Sequence, residues 1–72
     1  MKLREFNFNS IWLKGLCIKE EGAITTDKDR CYEGFIGEVL RAIPIAWADR
    51  EIKDTRTYFD IFVIELKKEV DQ

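Results

Sequence analysis

Apolar positions fall into three stretches with different periodicities. The last, Thr57-Tyr58-Phe59-Asp60-Ile61-Phe62-Val63-Ile64-Glu65-Leu66, is the longest and is rich in β-branched and aromatic residues, the types that pack well on a pleated surface. It predicts a strand with Phe59, Ile61 and Val63 on one face and Tyr58, Phe62, Ile64 and Leu66 on the other. Both faces are apolar, so both need cover. Helical spacing also links Phe59, Phe62, Val63, Leu66 and Val70, but a helix would leave Ile61 and Ile64 off that stripe, so the strand is preferred.

The first stretch starts at Ile11, with Ile11, Leu13 and Cys17 on one face of a strand and Trp12, Leu16 and Ile18 on the other. Gly15 interrupts it, which in a strand marks a bulge or a close backbone approach. Glu20-Glu21-Gly22 reads as a turn and Ala23-Ile24-Thr25-Thr26 as a short returning strand, giving an N-terminal hairpin. The segment before it, Met1 to Asn9, has no regular pattern but carries Leu3, Phe6 and Phe8 as anchors.

The middle stretch predicts a helix from Lys28 to Arg41. Thr26 or Asp27 caps it and Asp29 complements its positive end. Cys31, Tyr32, Phe35, Ile36, Val39, Leu40, Ala42 and Ile43 recur at three-and-four spacing, with Glu33, Glu38 and Arg41 opposite. Phe35, Ile36, Val39 and Leu40 are its expected core residues. Pro44 disfavours helix at Ile43 and sets the end between Arg41 and Ile43. Gly34 and Gly37 sit on the polar side, each costing roughly 0.5–1 kcal/mol relative to alanine in a helix. Ile45 to Ile52 is open between an extended segment and a helical tail, and Lys53-Asp54-Thr55-Arg56 reads as a polar turn. Lys67 to Gln72 reads as a charged, fraying tail.

These elements make one α+β domain over residues 1–72, of order ββαβ, with a small sheet packed on one helix. One helix shields one sheet face. The last strand is apolar on both, so dimerisation is expected to complete the core through Phe59, Ile61, Phe62, Val63, Ile64 and Leu66. The competing cover is the N-terminal segment, which could fold across the open face and leave a monomer.

Composition adds a size limit: 72 residues bury only a little over ~60% of their unfolded surface. With 46% hydrophobic and 36% charged residues the chain should fold. A net charge of −2 argues against nucleic-acid or anionic-membrane binding driven by a global field. No apolar run approaches the ~18 residues of a membrane span. The N-terminus lacks the layout of a secretory signal, so Cys17 and Cys31 are expected to be reduced thiols in a cytoplasm.

Little chemistry is evident. The chain has no histidine, and no zinc spacing, EF-hand loop or phosphate loop occurs. No cofactor, metal or catalytic residue is expected, and the chain is read as non-enzymatic. Cys31, at a predicted helix N-terminus, is the better candidate for a reactive thiol, but small buried hydrophobes is the simpler reading of both cysteines. The carboxylate pairs Glu20/Glu21 and Asp27/Asp29 occupy turn and cap positions. Arg41, Arg50, Lys53 and Arg56 lie around Trp47, a pattern that can stack a base and contact phosphate, but Asp49, Glu51 and Asp54 interleave with them.

The stretches Ser10-Ile11-Trp12-Leu13-Lys14-Gly15 and Tyr58-Phe59-Asp60-Ile61-Phe62-Val63, with the length and element order, resemble the small prophage family called Yopt, which is distinct from the similarly named secreted protease. The resemblance implies a homodimer with one helix and three strands per monomer and a prophage-type accessory role in a bacterial cytoplasm. It implies no activity and no site residues. The expected function is thus that of an accessory protein, dimeric, binding a host or phage protein. The alternative is a weak nucleic-acid-binding or regulatory module using Arg50, Lys53 and Arg56.

Overall fold

A computed structural model describes residues 1–68. Glu69 to Gln72, the end of the expected charged tail, and with them the Val70 position of the rival helix, lie outside the described residues. The domain is a small α+β fold: a four-stranded mixed sheet carrying one α-helix. The strands are β1 (Gly15–Glu20), β2 (Cys31–Phe35), β3 (Ile52–Tyr58) and β4 (Ile61–Leu66), with α1 (Ile36–Ala42) between β2 and β3. Their order across the sheet is β2-β1-β4-β3, with β1 parallel to β4 and the outer pairs antiparallel. Short 3-10 turns occur at Leu3–Glu5, Phe8–Ser10 and Ile45–Asp49, the last resolving the open segment after Pro44.

Alternation along the two central strands sorts the side chains. Leu16 and Ile18 of β1 and Phe62, Ile64 and Leu66 of β4 face one way, into a core with Leu3, Val39 and Trp47. Cys17 and Val63 face the other way, packing with Ala23 and Cys31. The C-terminal strand thus alternates as expected from Ile61 to Leu66, and helix α1, the N-terminal segment and Trp47 together cover its first face. Each fully buried aliphatic side chain there contributes roughly 1.5–3 kcal/mol. Phe6 packs on Phe62 with tilted rings, centroids 5.6 Å apart, and edge-on against Phe8 at 5.1 Å. The anchors expected in the N-terminal segment therefore fill the role of the competing cover. Backbone bonds from Leu3 N–H to Arg50 O (2.9 Å) and from Ile52 N–H to Met1 O (2.8 Å) stitch that segment to the start of β3.

Several expectations are corrected. The helix is half as long as predicted, because Cys31–Phe35 forms β2 instead. Asp27 does not cap a helix ahead of it: its carboxylate accepts the N–H of Ile24 at 3.0 Å and its carbonyl accepts those of Arg30 and Cys31, closing a loop. Ala23 to Thr26 belongs to that loop, not to a strand. Gly34 now sits in a strand, and the helix cap falls to Glu38, whose carboxylate accepts the Phe35 N–H at 3.3 Å. Of the expected helix core, Val39 is buried and Ile36 partly so, while Phe35 and Leu40 are exposed. Finally, Lys53 to Arg56 is β3 and not a turn, and the run from Thr57 to Leu66 is broken at Phe59-Asp60 into a hairpin. The order is therefore ββαββ. The helix does end at Ala42, with Ile43 extended before Pro44.

Candidate functional site

Cross-strand partners share a face, so the register builds the second sheet face row by row. Phe35, Gly15, Ile61 and Tyr58 form one row, Glu33, Cys17, Val63 and Arg56 the next, and Cys31, Lys19, Glu65 and Asp54 the third. The loop between β1 and β2 covers the third row and part of the second. Ala23 is buried on the two cysteines, and Lys19 Nζ donates to the Ala23 carbonyl at 2.9 Å. Among the described residues nothing covers the first row.

Gly15 makes that row concave. A side chain at Gly15 would meet Ile61 Cγ1 at 3.1 Å, a tight contact with a side chain, while the nearest backbone atoms lie at 3.6 Å, and a groove of about 310 Å³ opens between Phe35, Gly15, Asp60 and Ile61. A second groove of about 250 Å³ runs along Cys17, Val63, Tyr58 and Arg56. Around this end the side chains of Phe35 (67% exposed), Tyr58 (64%) and Phe59 (85%) stand in solvent. Trp12, 88% exposed, flanks the same end on the segment leading into β1, beside Thr57 and Phe62.

Phe59 occupies an unfavourable position. It is the first residue of the two-residue turn between Tyr58 and Ile61, with φ +56°. A positive φ at that position is the II′ pattern, which favours glycine. A left-handed non-glycine residue costs of order 1–3 kcal/mol. Its ring has the edge of Tyr58 as a neighbour, centroids 4.6 Å apart, so burial returns little of that cost.

The six expected interface residues divide. Phe59 and Ile61 lie at the open end and Val63 beneath the groove, whereas Phe62, Ile64 and Leu66 point into the covered core, Ile64 and Leu66 wholly buried and Phe62 partly so. The N-terminal anchors Leu3, Phe6 and Phe8 cover the face to which these last three belong.

The expected nucleic-acid group is not assembled as a binding surface. Trp47 is 6% exposed, edge-on to Tyr32 at 5.2 Å, so its faces cannot take a base. Arg50 spans Glu20 (2.8 Å) and the Lys67 carbonyl (2.7 Å), Lys53 pairs with Glu21 (2.7 Å), and Arg56 pairs with Asp54 (3.0 Å). These cations tie segments together. Arg41 stands apart in the last turn of α1.

The carboxylates are likewise engaged, Glu20 by Arg30 and Arg50, and Glu21 by Lys53, which holds its carboxyl below the usual range. Cys17 and Cys31 are free thiols with Sγ atoms 3.7 Å apart, on neighbouring strands and two residues off direct opposition, in adjacent rows of the same face. Burial, and then the second thiol, push Cys17 up to about 12, which keeps it protonated and a poor nucleophile. Sequence reasoning placed Cys31 on a helix and so missed this proximity. Reading Ala23 to Arg30 as loop would have returned Cys31 to the sheet beside Cys17. Among the described residues no group of three or more candidate ligands is placed to hold a metal, and no helix is long and apolar enough to cross a membrane.

No protein-family model, curated protein or solved structure matches this chain.

Proposed function

We propose that the chain is a non-enzymatic accessory protein that works as a homodimer and binds another protein, and that the aromatic end of the sheet is its docking surface. The observation that carries this reading is Phe59, a large apolar side chain held in solvent on a turn where glycine would be more stable. Strained positions that persist in a fold point to function, not to packing. Phe35, Tyr58 and Trp12 extend the surface, and aromatic anchors beside a shallow groove are what protein interfaces use for most of their binding energy. The occupant is a protein presenting an apolar pocket or ridge to these rings. The prophage-type setting, a host or phage target and a cytoplasmic location are supported by the sequence resemblance alone.

Phe59→Gly tests the docking surface. The substitution should raise the melting temperature, because it removes the turn strain, and should abolish capture of the partner from extracts of the source cells. Ile45→Ser, at an exposed apolar residue on another part of the surface, should leave capture unchanged. Equal capture by wild type and Phe59→Gly would overturn the reading.

A further inference from the structure

β3 is an outer strand whose residues from Lys53 to Tyr58 are exposed. Its outward side is paired at its start, where Met1 to Leu3 bonds to the segment from Arg50 to Ile52. Beyond that point the edge offers its backbone groups to another chain. We propose that two copies pair antiparallel through β3, with Thr55 facing the partner's Thr55 at the two-fold axis, so that the sheet runs on through eight strands. This rests on the homodimer in the reading above and names its interface. It does not depend on the aromatic end.

Charge selects the register. In a two-fold antiparallel pair one residue faces its own copy, and residues equally spaced on either side of it face each other. Centring on Asp54 or on Arg56 sets like charges in contact. Centring on Thr57 leaves a ladder of only three residues, Arg56 to Tyr58, because Phe59-Asp60 is the hairpin turn, and it brings no opposite charges together. Centring on Thr55 sets Asp54 opposite the partner's Arg56, and does so twice. It also pairs Lys53 with the partner's Thr57 and ends the five-residue ladder before Ile52, whose outward N–H Met1 already occupies. Within one chain Arg56 pairs with Asp54 at 3.0 Å and approaches Glu65 at 3.9 Å, so the dimer joins two such clusters into one alternating network. Opposite charges directly across antiparallel strands stabilise the pairing and like charges oppose it. The register shift between Ile52 and Asp54 further limits which chains can align with this edge.

Charge reversal tests the register. Wild type should sediment near twice 8.5 kDa, and its dimer should weaken as salt rises. Asp54→Arg or Arg56→Asp alone sets like charges in contact at two places, which should raise the dimer dissociation constant on the order of tenfold or more. The double variant Asp54→Arg/Arg56→Asp should recover the dimer. An equimolar mixture of the two single variants should recover it as a heterodimer, since each then meets its complement. Circular dichroism of every variant checks that the monomer remains folded. A wild type that stays at 8.5 kDa to several hundred micromolar overturns the proposal together with the homodimer. A dimer indifferent to salt and to both single reversals overturns edge pairing and leaves the homodimer standing. Single variants that dissociate without recovery in the mixture overturn the register.

Discussion

The two faces of this sheet are made by the same two central strands yet are finished in different ways. On the first, Leu16, Ile18, Ile64 and Leu66 lie under α1, the N-terminal segment and Trp47, all from outside the hairpins. On the second, Cys17 and Val63 lie under one loop that reaches only part of the way, and Ile61, Tyr58 and Phe35 are left at the rim. A chain of 72 residues has elements enough to cover one face and part of the other. The first face carries the stability. The second is where apolar side chains remain exposed.

The largest test of that contrast compares neighbours on α1. Val39 is buried on the first face whereas Leu40, one residue on, is exposed. Val39→Asp would place an uncompensated charge in the core and should abolish cooperative unfolding, while Leu40→Asp should stay within about 1 kcal/mol of wild type. Urea titrations of both variants decide it, and a folded Val39→Asp protein would mean that the helix does not close this core.

A second comparison stays on β4. Ile64→Ala removes a wholly buried side chain from the first face and should cost about 3 kcal/mol, within the range for large-to-small changes in a core. Ile61→Ala, at the rim of the second, should cost about 1 kcal/mol or less. Equal losses would show that the second face is as closely packed as the first.

Cys17→Ala and Cys31→Ala probe the half-covered face beneath its loop. Each should lose about 1 kcal/mol and keep the fold. With Cys17 held protonated by burial, alkylation of the native wild type should be slow and should speed up on unfolding. Rapid native alkylation would show that the loop does not shield the pair.

What was legible in the sequence follows the same division. The alternation from Ile61 to Leu66 could be read because both faces of a central strand are apolar, and the helix end because Pro44 restricts Ile43. β3 could not be read, since an outer strand exposed on its residues from Lys53 to Tyr58 has no apolar signal and its charges mimic a turn. β2 was hidden for a different reason. Tyr32 faces the core from a strand and Ile36 and Val39 from the helix after it, so their spacings join into a helical period that neither element has alone. The hairpin turn at Phe59-Asp60 was invisible because its first position holds an aromatic where glycine is expected. As for the interface candidates, both faces of the strand are apolar, and which half would be covered depended on where Leu3, Phe6 and Phe8 docked, and Met1 to Asn9 has no period to reveal that.

The smallest expected effects come from the ion pairs that hold the two covers. Glu21 accepts from Lys53 Nζ at 2.7 Å and from the Lys68 N–H at 3.2 Å, tying the second-face loop to β3 and to the end of β4. Glu51 pairs with the terminal amine at 3.1 Å, tying down the segment that covers the first face. These hydrogen bonds hold both carboxyls below their ordinary value of 4.5. A carboxyl with a depressed folded-state pKa stabilises the fold above its unfolded value and loses that contribution as pH falls through the folded value. Glu21→Gln and Glu51→Gln should therefore melt slightly below wild type at neutral pH, with the gap closing as pH drops below 4.5 and shrinking in high salt, as expected for exposed pairs. The two variants should differ in what they loosen. Glu21→Gln should speed alkylation of Cys17, since its loop is the lid over the thiols, whereas Glu51→Gln should speed hydrogen exchange at Leu3 and Ile52, whose N–H groups join the N-terminal segment to the strand. Faster thiol alkylation in Glu51→Gln would mean that the covers are coupled through the sheet, and the two faces could then no longer be treated as separately finished.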